Sequence, residues 1–437
     1  MSETLYKPSH KVRFVTAAAL FDGHDASINI MRRLLQAHGA EVIHLGHNRS
    51  AEEIVDAAIQ EDAQGIAVSS YQGGHIEFFK YMKDLLRQKG ASRIRIYGGG
   101  GGVIVPEEIA ELHAYGINRI FSPEDGRQMG LHGMIELMVR ECDYATIEHV
   151  NGEVDALSPD QKLVVARLIS YAEQNGQRDS KEAAQVAQRV RERAKVRQAS
   201  VIGVTGTGGA GKSSLCDEIL RRYLADFPES QVAVLSVDPT KKKTGGALLG
   251  DRIRMNALNS QRVYMRSLAT RDSGSEVSEA LDEAIEVAKA AGFDLILVET
   301  SGIGQGNSKV TELVDLSIYV MTSEFGAPSQ LEKIDMLDLA DLVVINKFER
   351  RGSEDALRDV RKQVWRNRGA RKDQKPQDMP VFPTIASQFN DPGVNAFYQA
   401  LLARLSSLVG RELKTRYFTQ VPQDGVPRVK GVIPGNR

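Results

Sequence analysis

The sequence predicts an α/β protein: two doubly wound parallel-sheet domains joined by a helical connector. Three observations carry that reading. Short β-rich runs alternate with amphipathic stretches of helical period from Lys11 to about Asp143, the same alternation returns from Val201 to about Val409, and a charged, helix-forming stretch lies between them. Parallel strands need crossover connections, so repeated strand–helix alternation implies sheets covered by helices on both faces.

In the first unit, residues 11–143, the strands are expected at Val12 to Ala18, Val42 to Leu45, Gly65 to Ser70, Arg93 to Tyr97 and Arg119 to Phe121. Ser50 followed by Glu53 forms a capping box, and Gly39 and Gly90 stand where helices should stop. Residues 144–199 carry two helical stretches, Pro159 to Gln174 and Ser180 to Arg197, whose charges read as a solvated face or packing arm with no chemistry. In the second unit, residues 200–410, apolar strands are expected at Val201 to Val204, Gln231 to Val237, Asp294 to Val298, Leu316 to Val320, Leu342 to Ile345 and Val381 to Ile385. Residues 411–437, with Pro422, Pro427 and Pro434, read as an extended linker whose next domain is absent.

Composition narrows the function. The 437 residues are 42% hydrophobic and 26% charged, enough for real cores, and the net charge of −1 gives no electrostatic case for nucleic acid or an anionic membrane. No apolar run reaches the ~18 residues of a membrane span. Met1 to Lys11 lacks the apolar core of a signal peptide, so a cytoplasmic address is expected. Cys142 and Cys216 are too few for a disulfide framework or a cysteine-built zinc site.

The strongest motif is Gly206-Thr207-Gly208-Gly209-Ala210-Gly211-Lys212-Ser213, a glycine loop between an apolar strand and a helix. In that order it is a P-loop: backbone N–H groups curl around the β-phosphate, Lys212 reaches the β- and γ-phosphates, and the Ser213 hydroxyl holds Mg²⁺. Glu299, after the strand ending at Val298, is the Walker B candidate, with Thr300, Ser301 and Gly302 following it. Asn346-Lys347-Phe348-Glu349 follows another strand as a guanine reader, in which an acid accepts the N1–H and N2–H₂ that adenine lacks; GTP is therefore the expected substrate. The acid is Glu349 where such motifs usually carry Asp. A backbone N–H near Ala386 to Gln388 is placed for the guanine O6. Asp238 and Asp251 flank a Lys- and Gly-rich loop, Lys241 to Gly246, that reads as a switch region. Each alone is an ordinary loop acid; with Ser213, Glu299 and Thr300 they make an oxygen-rich Mg²⁺ shell, and Arg254 is close enough in sequence to neutralise phosphate charge. The expected catalytic set is Lys212, Glu299, Asp251 and Arg254. The role of Gln305 stays open.

Val-Asp-Pro at 237–239, Gly-Gly-x-Leu-Leu-Gly-Asp across 245–251 and Glu-Thr-x-Gly-x-Gly-Gln from 299 to 305 resemble the metallochaperone GTPases that tend cobalamin-dependent mutases. In the first unit, Asp22-Gly23-His24 lies just past the first strand, Ser69-Ser70-Tyr71 ends the third and Gly98-Gly99 ends the fourth, all at the sheet edge where open α/β folds bind ligands. That set resembles the cobalamin-binding pattern Asp-x-His-x-x-Gly, Ser-x-Leu, Gly-Gly. The resemblance implies that His24 is the lower cobalt ligand, oriented by Asp22, that Ser69 and Tyr71 flank the displaced nucleotide tail, and that Gly98 and Gly99 let the tail pass. Ser27 stands where the pattern has Gly, and Tyr71 where it has Leu.

A flavodoxin-like cobalamin domain ahead of a P-loop GTPase is an order that resembles the fused isobutyryl-CoA mutases. It implies adenosylcobalamin, Mg²⁺ and GTP, a 5′-deoxyadenosyl radical, and interchange of isobutyryl-CoA and n-butyryl-CoA through the missing substrate domain, with the GTPase gating cofactor loading. A homodimer and an adenosyltransferase that donates cobalamin are the expected partners. The alternative is a stand-alone cobalamin carrier and GTPase chaperone serving a separate mutase subunit.

Overall fold

A computed structural model of the chain describes residues 6–174, 181–241, 243–249, 251–271, 280–300, 308–326, 331–332, 334–369, 373–422 and 425–428, with Asp251 and Ser308 described by their backbone alone. The first unit runs β1 (Arg13–Ala18), α1 (Ala26–Ala37), β2 (Glu41–His44), α2 (Ala51–Gln60), β3 (Gly65–Ser69), α3 (His75–Gln88), β4 (Arg95–Gly99), α4 (Pro106–Tyr115), β5 (Arg119–Phe121) and α5 (Pro123–Glu141). The connector supplies α6 (Lys162–Gln174) and α7 (Lys181–Lys195). The second unit contains β6 (Ser200–Gly206), α8 (Lys212–Asp226), β7 (Val232–Asp238), β8 (Ala247–Leu249), β9 (Val263–Ala269), α9 (Leu281–Ala291) and β10 (Leu295–Thr300). It continues through α10 (Ser308–Leu313), β11 (Leu316–Met321), α11 (Met336–Leu339), β12 (Leu342–Ile345), α12 (Ser353–Asn367), β13 (Val381–Pro383) and α13 (Pro392–Val409).

Both sheets are parallel and doubly wound, as the alternating pattern predicts, and each expected strand lies within two residues of its observed ends. The capping box at Ser50 and Glu53 is formed, starting α2. Of the two readings of residues 144–199 the packing arm holds: Val165, Leu168, Ile169, Val186 and Val190 share one core with β10 and α9, so α6 and α7 pack onto the second unit. Two strands were not foreseen. β9 escaped because Arg266 and Ser267 interrupt its apolar run, and β8 because it is three residues long and follows two glycines.

β8 leaves its own unit. The second sheet has the order β13-β12-β11-β6-β10-β7-β9, while β8 joins the first as its sixth strand, β5-β4-β3-β1-β2-β8. Ala247, Leu248 and Leu249 pair in register with Glu41, Val42 and Ile43. The approach is close enough to require glycine at 246, where a Cβ would stand 2.2 Å from the Gln36 carbonyl oxygen. On the other side of the junction, α2 ends against the edge strand β9: Gln60 Oε1 accepts the Met265 N–H at 3.1 Å and Glu61 Oε2 accepts the Ser267 N–H at 2.9 Å, so alternate edge donors are satisfied by the first unit.

A buried ion network ties all three segments together. Arg13 of β1 holds Glu41 at 2.6 Å and Glu173 of α6 at 3.5 Å; Arg271, just after β9, reaches Glu41 at 2.9 Å and Glu173 at 3.0 Å; Arg266 reaches Glu173 at 2.5 Å and Arg252 reaches Glu61 at 2.8 Å. Burial opposes ionisation of Glu41, but Arg271 and Arg13 outweigh it and hold its carboxyl well below the ordinary range. Glu173 is shifted the same way by Arg271, Arg13 and Arg266 against the same burial cost. Such a network is strongly unfavourable to break from one side, because the remaining charge has no water to turn to.

Candidate functional sites

The nucleotide site forms at the carboxyl end of β6. Gly206 has φ of +147°, and a Cβ there would lie 1.8 Å from the Val320 carbonyl oxygen, so the loop can leave the sheet only through glycine. Gly208, Gly209 and Ala210 carry the turn, Gly211 precedes α8, and Lys212 begins it. Lys212 Nζ donates to the carbonyls of Gly206 and Thr207 at 3.1 and 3.2 Å, and Ser213 Oγ donates to Glu299 Oε1 at 2.8 Å. β10 lies between β6 and β7, which puts Glu299 beside Ser236 and Thr300 beside Val237, with Asp238 one residue further on. Thr300 Oγ1 is buried without a hydrogen-bond partner among the described residues.

No three His, Cys, Asp or Glu side chains converge as a metal cage among the described residues. A nucleotide-bound Mg²⁺ needs less: a hydroxyl, one or two carboxylates, phosphate oxygens and water. Ser213, Glu299, Thr300 and Asp238 fit that requirement. The backbone of Asp251 opens a 3₁₀ turn, Asp251–Arg254, packed between α8 and β2, with Arg254 exposed at its end. The Asp251 side chain, together with Ser301, Gly302 and Gln305, lies outside the described residues.

Asn346 is fixed on both sides of its amide. Its Nδ2 donates to the Ala210 carbonyl at 2.8 Å, and its Oδ1 accepts from Thr384 Oγ1 at 3.1 Å and the Ala386 N–H at 3.0 Å. One residue thereby couples the P-loop to the two loops expected around the base. Lys347 adopts φ of +56°, and Glu349 is exposed beyond it.

The second cleft lies at the carboxyl ends of β3, β4 and β5 between α1 and α5, with a volume of about 290 Å³, and the loop after β1 that carries Asp22 and His24 lies beside it. Asp22 is fully buried and takes three donors: the His24 N–H and His24 Nδ1 on Oδ1, both at 2.9 Å, and the Tyr71 N–H on Oδ2 at 2.7 Å. The His24 side chain is 67% exposed, so with Nδ1 committed to Asp22 it is Nε2 that faces outward, the arrangement by which a carboxylate orients a metal-ligating imidazole. Ser69 Oγ is buried in the cleft with no partner among the described residues, and Gly98 to Gly101, on the neighbouring strand and the loop after it, line the cleft beside it. An orphaned hydroxyl, a glycine wall and an outward imidazole nitrogen fit a corrinoid with its nucleotide tail in the groove. His75 has a structural task, its Nε2 lying 2.9 Å from Glu108 Oε2 and joining α3 to α4.

Gln60, Glu61, Glu173, Arg252, Arg266 and Arg271 were not foreseen as a group. The available signal was charge in the wrong place: Arg13, Glu41 and Arg266 occupy strand positions that burial should reserve for apolar side chains.

The chain matches the family model described as "Methylmalonyl Co-A mutase-associated GTPase MeaB" over residues 165–411 and the one described as "B12 binding domain" over residues 12–125. It is 62% identical to a "Fused isobutyryl-CoA mutase" of Geobacillus kaustophilus over 99% of this chain and 40% of that protein. Identity is 58% to the protein of the same description from Cupriavidus metallidurans, over 92% of this chain and 36% of that one. A putative GTPase of Pyrococcus abyssi is 30% identical over 64% of this chain and 84% of its own length. The chain thus spans about two fifths of the fused relatives' length. No helix among the described residues is long and apolar enough to cross a membrane. With Gly206 to Ser213, Glu299 and Asn346 assembled around one sheet, and a cleft beside His24 on the other, the chain belongs to the MeaB family of mutase-associated GTPases and carries a B12-binding domain on the same polypeptide.

Proposed function

We propose that this chain is the cofactor-holding and GTP-hydrolysing portion of an adenosylcobalamin-dependent mutase that interconverts isobutyryl-CoA and n-butyryl-CoA, with a substrate domain binding the acyl-CoA and the GTPase gating cofactor loading. One observation supports the gating above others. The segment from Asp238 to Asp251, whose two end acids this reading assigns to Mg²⁺, lays Ala247–Leu249 down as a strand of the cobalamin sheet. A loop that follows the γ-phosphate at both ends cannot shift without pulling on β2, two strands from Ser69.

In this reading Lys212 exchanges two loop carbonyls for phosphate oxygens, and Ser213, Glu299, Thr300, Asp238 and Asp251 hold Mg²⁺ and its waters. Arg254 offsets phosphate charge, and Asn346, Lys347 and Glu349 read guanine. His24 offers Nε2 as the lower ligand while Ser69, Tyr71, Gly98 and Gly99 bind the tail; bound adenosylcobalamin supplies the radical that starts the rearrangement. The setting is cytoplasmic, the assembly a homodimer, and the cofactor arrives from an adenosyltransferase. The test is the release rate of adenosylcobalamin from the chain loaded with GDP or with a non-hydrolysable GTP analogue. A several-fold difference is expected, and equal rates would remove the gating.

A further inference from the structure

The two departures from the cobalamin-binding pattern touch each other. Ser27, in the first turn of α1, and Tyr71, just after β3, are joined hydroxyl to hydroxyl at 2.6 Å. Neither the glycine nor the leucine of the general pattern has a hydroxyl to offer. The bond also crosses the cleft. Tyr71 extends from Ser27 on one wall to the glycine loop on the other, where a Cβ on Gly101 would stand 3.1 Å from Tyr71 Cε1, and both Ser27 and Tyr71 line the groove that holds Ser69. The Tyr71 backbone is anchored separately by its N–H on Asp22, so the side chain can swing about its own torsions without disturbing the carboxylate that orients His24. The tyrosine ring lies 5.7 Å from the His24 imidazole and itself lines the groove.

We propose that the Ser27–Tyr71 hydrogen bond is a latch across the nucleotide-tail groove, and that Tyr71 is a positioning residue which admits the tail when the latch opens. The proposal rests on the reading of this cleft as the corrinoid site. A closed latch excludes the tail, so opening precedes entry, and the bond slows association by the inverse of the fraction of time it is open. For one neutral, partly solvated hydrogen bond that factor is about five. It acts on the tail alone, because a corrinoid lacking the nucleotide never enters the groove.

The experiment is stopped-flow absorbance with the whole chain, mixing adenosylcobalamin or tail-less adenosylcobinamide with wild type, Tyr71→Phe, Ser27→Gly and the double variant. Each single change should speed adenosylcobalamin association about fivefold. The double should be no faster than either, since both remove the same bond, and adenosylcobinamide should be unaffected in all four proteins. Unchanged adenosylcobalamin rates, equal acceleration of both corrinoids, or additive effects of the two substitutions would each overturn the latch. Electron paramagnetic resonance of the bound cob(II)alamin form separates this from failure of the site: wild type without nitrogen splitting from a protein histidine would take down the cleft reading itself, whereas histidine ligation with insensitive rates would take down the latch alone.

Discussion

The two binding regions occupy the same place in their sheets, the carboxyl ends of parallel strands, yet they keep their polar atoms differently. In the nucleotide site Lys212 bonds its own loop, Ser213 bonds Glu299, and Asn346 has partners on both sides of its amide. In the first unit the His24 imidazole is mostly exposed and the buried Ser69 hydroxyl has no partner among the described residues. The contrast follows from the ligands. A nucleotide brings charge and hydrogen-bond acceptors, so its site can rest on internal bonds and exchange them; a corrinoid tail brings bulk, so its groove must exist beforehand as space with one wall of glycine. The seam between them belongs to neither pattern, being charged and buried, with the carboxylates of Glu41, Glu61 and Glu173 all held by arginines.

Removing the exchangeable charge should have the largest effect. Lys212→Ala is expected to lower GTP hydrolysis by about 10²–10³ while leaving corrinoid affinity within twofold, as measured by phosphate release and visible absorbance. Turnover near wild type would show that the bonds of Lys212 to Gly206 and Thr207 are its function and not a resting arrangement. His24→Ala addresses the open site. It should abolish the change that ¹⁵N-labelling of the protein's histidines makes in the superhyperfine splitting of bound cob(II)alamin, and weaken corrinoid binding about tenfold or more, with GTP hydrolysis unchanged, because no other bond in the cleft depends on the imidazole. A label-sensitive splitting retained in the variant would move the ligand to another histidine.

Much of this was legible in the sequence because local chemistry dictates it. Gly206 and Gly211 are forced by backbone geometry, and the contact of Asp22 with His24 closes within three residues, so both arrangements can be anticipated without knowledge of the fold. What was illegible is what depends on residues far apart in the chain: Glu61 meets Ser267 and Arg252, and Glu41 meets Arg271, only after two domains have docked. β8 shows the limit most plainly. Three residues after a glycine pair have no periodicity to read, and their partner strand lies some two hundred positions upstream. The linked departures at Ser27 and Tyr71 were each visible, and only the structure shows that they are one feature.

The seam can be broken from one side. Glu61→Ala should strip Arg252 of its carboxylate and leave the Ser267 N–H without an acceptor, destabilising the protein by about 3–5 kcal/mol in chemical unfolding. The same change should erase the nucleotide dependence of adenosylcobalamin release while each ligand still binds at mild temperature. Release that still follows the nucleotide would mean that β8 and the ion network hold the domains together without passing the signal.

The smallest effect separates the seam's carboxylates from the histidine beside it. His44, the last residue of β2, is pushed down to about 4 by burial and by the positive charge of Arg32, and its Nδ1 lies 3.0 Å from Thr16 Oγ1. Its folded pKa is below the ordinary 6.5, so between those values the unfolded chain takes up a proton that the folded chain refuses. The stability contributed by neutral His44 is therefore complete above pH 6.5 and declines as pH falls toward 4. Glu41 and Glu173 are also depressed, but from 4.5, so their contribution starts to fall only below that value. His38 and His113 are lowered as well, by burial first and by His132 and Arg119 respectively, so a single melting profile mixes three histidines. The difference between wild type and His44→Gln isolates one. The amide keeps a polar group near Thr16 and cannot charge, so between pH 6.5 and 5 the variant's melting temperature should fall less than that of wild type, by about 2 °C or less because His44 is partly exposed. Parallel profiles would mean that this end of β2 opens to water before the rest unfolds, and the strand that carries β8 would then be softer at its ligand end than at the seam.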